Sequence, residues 1–157
     1  MAVSIAAEVT RIWPTTEATL NADSTVDYLP AKDRAVARAK LDLYGSRTIP
    51  SEADIPDLAA YWIADQAAVH LIPLAIDYYM SKQRISDSKE NTTVTYYNKV
   101  RALQGLRTEL ETSLVANRQT ALETIDTTVR GDDVPAVSTQ GMAVDPILRA
   151  MWRGPVM

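Results

Sequence analysis

Tyr78-Tyr79-Met80-Ser81-Lys82-Gln83-Arg84-Ile85-Ser86-Asp87-Ser88-Lys89-Glu90-Asn91-Thr92-Thr93-Val94-Thr95-Tyr96-Tyr97 is the stretch whose reading decides the fold. Two tyrosine pairs bracket a polar segment, Met80 to Thr95, and stand symmetrically about Asp87-Ser88. If two helices meet there and the chain reverses at Asp87-Ser88, the pairs lie side by side. The same register faces Ile72 with Leu103 and Val69 with Leu106. One position off, it brings Trp62 near Leu114. Apolar residues meet apolar residues along the whole seam, so the spacing predicts a long antiparallel helical hairpin.

The first arm of the hairpin is read from about Pro56, with proline at or near the first helical position, to about Arg84. At 100° per residue, Leu58, Tyr61, Trp62, Val69, Ile72, Ile76, Tyr79 and Met80 share one broad face. Ile63, Leu71, Leu74 and Tyr78 make a second apolar face. Gln66, His70, Asp77 and Arg84 form a narrow polar stripe between them. Two apolar faces need two coverings: the chain's own core and, on this reading, a neighbouring copy. Pro73 lies mid-helix and is expected to bend it. The second arm is read from about Thr93 to Thr128, about 50 Å at roughly 1.5 Å per residue. Tyr96, Val100, Leu103, Leu110, Leu114, Ala121 and Ile125 form its stripe. Gly105 marks either a close helix contact or a tolerated weakness, at about 1 kcal/mol against alanine.

Outward from the hairpin the signals are shorter. Residues 1–30 read as an N-terminal segment with a short helix, Ala2 to Ile12, ended by Pro14. Thr15 to Thr25, rich in Thr, Asn, Asp and Ser, reads as loop. Residues 31–130 form the helical domain; its first helix runs from Ala31 to Tyr44, with Gly45 at the C-terminal cap. Gly131-Asp132-Asp133 reads as a helix break. Residues 131–157 then make a C-terminal arm. There Asp145-Pro146 is a good N-cap followed by proline at the first helical position. Ile147, Leu148, Met151 and Trp152 fall on one face after it, the form of a docking element that either folds back on its own domain or buries on another subunit. The fold class is therefore all-α: a small helical bundle built on a long antiparallel hairpin, with an extended C-terminal arm.

Composition narrows the chemistry. The chain has 157 residues, enough for one domain with a real core, and 46% of them are hydrophobic, which excludes wholesale disorder. Phenylalanine is absent, so Leu, Ile, Val, Tyr and three Trp fill the core. A net charge of −4 argues against a protein that coats nucleic acid. Cysteine is absent, which removes disulfides and thiolate metal sites. The single histidine, His70, removes any multi-histidine site. No uninterrupted apolar run approaches a membrane span, and the N-terminus carries no basic region of a secretory signal. No membrane partner is expected, and a cytoplasm, or a particle assembled there, is the expected setting.

The usual catalytic constellations are missing. His70 and Asp77 share a face but stand roughly 10 Å apart along the axis, too far for a hydrogen bond. Asp132-Asp133 and the Glu109, Glu111 pair read as solvated surface. Arg130-Gly131-Asp132 matches an integrin-binding tripeptide, and helix termination is sufficient reason for it. No phosphate-binding loop occurs. The expectation is a non-enzyme with no catalytic residues, no cofactor and no metal.

The order and endings of these helices resemble one family. A short helix ending Ala39-Lys40-Leu41-Asp42-Leu43-Tyr44-Gly45 precedes a proline-started long helix ending Ile76-Asp77-Tyr78-Tyr79-Met80-Ser81. A Ser/Thr/Asn-rich segment follows, then Tyr96-Tyr97 and the Arg/Leu-rich helix from Val100 to Leu114. Over roughly residues 25–130 this is similar to the head-to-tail adaptor (connector) proteins of tailed bacteriophages, particularly those of actinobacterial hosts. The resemblance implies a small helical virion protein forming a homo-oligomeric ring, commonly of twelve copies, beneath the portal protein. Such a ring joins capsid to tail, receives the stopper or tail-completion protein, and extends a channel through which genomic DNA passes without sequence-specific binding. An acidic balance suits such a channel. The residues expected to bind partners are Ile147, Leu148, Met151 and Trp152 on the arm, with Tyr78 and Tyr97, which the register turns away from the seam. The competing reading is a cytoplasmic regulator or scaffold that dimerises through the helix at about 56–84.

Overall fold

Two long helices run antiparallel in the register that the tyrosine pairs predict. They are seen in a computed structural model that describes residues 3–85 and 90–133, with side chains for 3–82 and 96–127. Helix α4 spans Asp57–Ile85 and α5 spans Glu90–Asp133. The rings of Tyr79 and Tyr96 lie 6.1 Å apart. At the other end of the seam the Trp62 indole Nε1 donates to the Leu114 carbonyl at 3.0 Å. Between these points Ile72 and Leu103 are both buried. The expected turn residues Asp87 and Ser88 lie outside the described residues. Among the described residues the fold is all-helical, with five helices packed on one another and no strand.

Three shorter helices come first: α1 Ile5–Ile12, α2 Pro14–Ala22 and α3 Tyr28–Tyr44. Pro14 ends α1 as expected, yet the segment after it is a helix and not the loop that its polar composition predicts. Proline at the first position is pre-organised for a helix and gives up an N–H that has no intrahelical partner there. Glu17 and Leu20 are then buried, so tertiary packing carries a segment with weak local preference. Helix α3 starts earlier than Ala31, with Pro30 tolerated inside its first turn. Tyr28, Lys32, Ala35, Ala39 and Leu43 recur on its buried side. Gly45 closes α3 as predicted: its φ is +60° and its N–H donates to the Leu41 carbonyl at 2.8 Å. A short 3-10 turn, Glu52–Asp54, leads into α4. Its Glu52 accepts from the Ile5 N–H at 3.0 Å, so a carboxylate distant in sequence caps the start of α1.

Helix α4 is the core of the bundle, and α1, α3 and α5 all pack on it. With α5 on the Trp62–Tyr79 side, α1 and α3 cover the side that carries Ile63 and Leu71, which are buried. The second apolar face is thus covered within the chain and needs no neighbouring copy. Buried Ala59, Ala60, Ala64, Ala67, Ala68 and Ala75 let helices approach α4 from several directions. By length and composition Asp57–Lys82 could cross a membrane, but 56% of that window is buried inside the protein. Its apolar character serves the core. Helix α4 runs unbroken through Pro73.

Helix α5 is longer than predicted, about 66 Å at roughly 1.5 Å per residue. It does not stop at Gly131, because one glycine lowers helix propensity by about 1 kcal/mol without removing a donor. Arg130-Gly131-Asp132 therefore lies in the last turns of α5, and helix termination is not its explanation. Ala121 and Ile125 are buried on the far part of α5, and Asp126 pairs with Arg47 at 2.8 Å, so the α3–α4 connection is tied to it. A Cβ built on Gly105 meets nothing within 4 Å, which excludes the close-contact explanation. Gly105→Ala is expected to raise stability by about 0.5–1 kcal/mol, measured as a higher urea midpoint with unchanged slope. A loss of stability would mean that the backbone there is not an ordinary helix.

Candidate functional site

Four polar or aromatic groups stand out among the described residues. The first surrounds the tyrosines. Tyr79 is buried, with Tyr78 edge-on at 5.3 Å, Tyr96 at 6.1 Å and the Lys99 ammonium 4.9 Å from its ring centroid. Tyr78, which the register turns away from the seam, meets residues of its own chain. It is partly buried, Lys82 lies 5.2 Å from its ring centroid, and Asp23 from the α2–α3 connection faces its hydroxyl. Burial first, then Asp23, push that hydroxyl up from its ordinary value. Tyr97 is 58% exposed, so of the two outward tyrosines it alone presents an open ring. Ile147, Leu148, Met151 and Trp152 lie outside the described residues.

Asp23 anchors this group. Its carboxylate pairs with Lys82 at 2.8 Å and accepts from the Thr25 N–H at 2.9 Å and the Thr25 hydroxyl at 2.6 Å. The Lys82 ammonium, followed by the two Thr25 donors, holds Asp23 well below the usual carboxylate range. A depressed folded-state value contributes stability that is present above the unfolded value and is lost as pH falls through the folded one. An NMR titration of the Asp23 carboxyl is expected to show a midpoint well below that of a free aspartate. Lys82→Ala should move it upward. An unshifted Asp23 would mean that the α2–α3 connection is not clasped to α4.

The second group sits on the α3–α4 seam. His70 Nε2 lies 2.7 Å from Asp42 Oδ2, and Gln66 Nε2 donates to the same oxygen at 3.3 Å. The partner of His70 is thus Asp42 from α3, not Asp77, which is exposed. A carboxylate holding an imidazole is half of a base constellation, but no serine, threonine or other nucleophile is among its partners. Its physical role is to join two helices.

The third group is buried where α1, α2 and α3 converge, and sequence reading missed it. Lys32 Nζ meets Glu17 Oε1 at 2.8 Å, and both side chains are under 10% exposed. Thr10 Oγ1 accepts from Lys32 at 2.8 Å and donates to Glu17 at 3.2 Å. Trp13 Nε1, the Tyr28 hydroxyl and Glu17 Oε2 are buried beside them without a hydrogen bond of normal geometry. Burial first, then the Glu17 carboxylate, push the Tyr28 hydroxyl far above its ordinary value. The available signal was a lysine at position 32 inside the otherwise apolar spacing of Tyr28, Ala35, Ala39 and Leu43.

The fourth is a shallow groove between α4 and α5, lined by Leu58, Tyr61, Trp62, Asp65, Asn117 and Ala121. Leu58 is 51% exposed and Tyr61 41% exposed. Burial raises the Asp65 carboxyl, with Arg11 opposing and Glu8 reinforcing the shift. Among the described residues no group of three or more His, Cys, Asp or Glu could hold a metal. Comparison with protein-family models, with curated proteins and with solved structures finds no match. Tyr97, Leu58 and Tyr61 are the large apolar side chains of these groups that are exposed.

Proposed function

We propose that the chain is a non-enzymatic virion subunit that forms a ring beneath the portal of a tailed bacteriophage, joining capsid to tail and extending the DNA channel. The observation that supports the reading is the α3–α4–α5 arrangement, the helix order on which the connector resemblance rests, although α4 runs on to Ile85 and α5 begins at Glu90, beyond the endings of that resemblance. The register of Tyr79 against Tyr96 pins α4 to α5, and α3 packs on α4, which supports a subunit body of the kind a ring needs. Because α4 is covered on both sides within the chain, lateral contacts of such a ring fall on the outer surfaces of α3 and α5. Leu41, Tyr97 and Val115 are exposed on those two helices, at 57%, 58% and 81%. The C-terminal arm, with Ile147, Leu148, Met151 and Trp152, is the proposed anchor to a neighbouring subunit or to the portal in the assembled state. The competing regulator would dimerise through α4, whose described large apolar side chains are at least partly buried apart from Leu58, Tyr61 and Met80.

The arm separates folding from assembly. Removing residues 141–157 is expected to leave the circular dichroism of the helical body intact while abolishing co-sedimentation with the portal. A truncated chain that unfolds, or one that still co-sediments like the full chain, contradicts the proposed role of the arm.

A further inference from the structure

The Leu58–Tyr61 groove has a specific chemistry. Its apolar lining is the exposed Leu58 and Tyr61 with the buried Trp62 and Ala121, and Asn117 and Thr120 stand on the α5 side. Asp65 stands beside it with no direct ion pair or hydrogen bond among the described residues. Arg11, whose charge acts on Asp65, is already engaged with Glu8 at 2.6 Å. The exposed apolar side chains Leu58 and Tyr61, next to a half-buried, unpaired carboxylate, are matched by a ligand that carries apolar side chains and a cation together.

The chain contains one such segment beyond the described residues. Ile147, Leu148, Met151 and Trp152 recur at helical spacing, interleaved with Arg149 and Arg153, and the only acidic residue after Asp133 is Asp145. Its reach fits. The end of α5 at Asp133 lies about 18 Å beyond Ala121 at roughly 1.5 Å per residue. Residues 134–146 can span up to about 45 Å at roughly 3.4 Å each. The segment can therefore turn back to the groove without strain. A tether of this length gives an effective concentration in the mM range, far above that of other copies in dilute solution.

We infer that in the free subunit residues 147–153 dock in the Leu58–Tyr61–Ala121 groove of their own chain, with an arginine of the segment paired to Asp65. This does not rest on the connector reading, because it concerns the isolated subunit. In an assembled ring the same segment is available for exchange onto a neighbour, the usual route of domain swapping.

The chain has no cysteine, so engineered pairs report cleanly. Thr120→Cys at the rim of the groove is combined with Ala150→Cys in the segment, and oxidation of the dilute subunit is followed by non-reducing electrophoresis. The control pairs Ala150→Cys with Gln119→Cys, an exposed site at the same height on α5 and equally reachable by the tether, but turned about 100° away from Thr120. The expected result is an intrachain disulfide forming about tenfold faster at position 120 than in the control, as a docked rather than freely sampling tether requires. Adding Trp152→Ala or Asp65→Asn should remove most of that preference. Equal rates at the two positions would overturn the inference. A disulfide that forms only between chains would also overturn it and would place the segment on a second copy, leaving the connector reading intact.

Discussion

Replacing Lys32 with methionine is expected to destabilise the protein by about 3–5 kcal/mol, the cost of leaving one partner of a buried ion pair without its counter-charge. The Glu17 carboxylate sits among α1, α2 and α3 with its Oε1 held by Lys32 at 2.8 Å and by Thr10 at 3.2 Å. Methionine keeps the length and apolar stem of lysine but removes the ammonium. Glu17 is 6% exposed and cannot recover hydration without opening the α2–α3 contact. The double variant Lys32→Met/Glu17→Met should regain at least half of the loss, because it removes both desolvation penalties. Urea unfolding of the two variants checks this. A single-variant loss below about 1 kcal/mol would be the value of an exposed pair and would show that the α1–α2 segment does not bury this contact.

Truncating Tyr79 should cost about 3–5 kcal/mol, the range for removing a large buried aromatic. The ring is 2% exposed and touches Tyr78, Tyr96 and Lys99 at the end of the seam farthest from Trp62. Tyr97→Ala, one position from the seam on α5, should change stability by less than about 0.5 kcal/mol, as for exposed sites without special contacts. Two adjacent-looking tyrosine pairs thereby contain residues of opposite consequence. Thermal unfolding of Tyr79→Ala beside Tyr97→Ala measures the contrast. Equal losses would mean that the hairpin register is displaced by at least one residue, since such a step turns a helix by about 100°.

The hairpin was legible because its signal is periodic and doubled. Each arm carries a continuous apolar stripe, and the tyrosine pairs supply the register between them. Trp62 opposite Leu114 follows from the same register, one position off. Gly45 was equally plain, since its chemistry is local. Helix α2 was not legible, because Thr15, Thr16, Asn21 and Asp23 favour turns locally and only burial of Glu17 and Leu20 decides otherwise. The pairs Glu17–Lys32, His70–Asp42 and Asp23–Lys82 were invisible for a different reason. Each joins residues of different segments far apart in sequence, and spacing within one helix says nothing about them. Tyr78 shows the limit of the wheel: turning away from one seam placed it against the α2–α3 connection, where Asp23 and Lys82 occupy it. The second apolar face of α4 taught the same lesson, because α1 and α3 cover it.

These corrections move the proposed contacts of a ring from α4 to the outer surfaces of α3 and α5, without changing the central proposal. That proposal is most directly tested by electron microscopy of the purified chain mixed with its candidate portal protein. The account predicts a closed ring of this subunit stacked beneath the portal and coaxial with its channel, with α3 and α5 facing adjacent copies. A compact dimer whose formation ignores the portal, or portal particles that carry no added ring at saturating subunit, would contradict it.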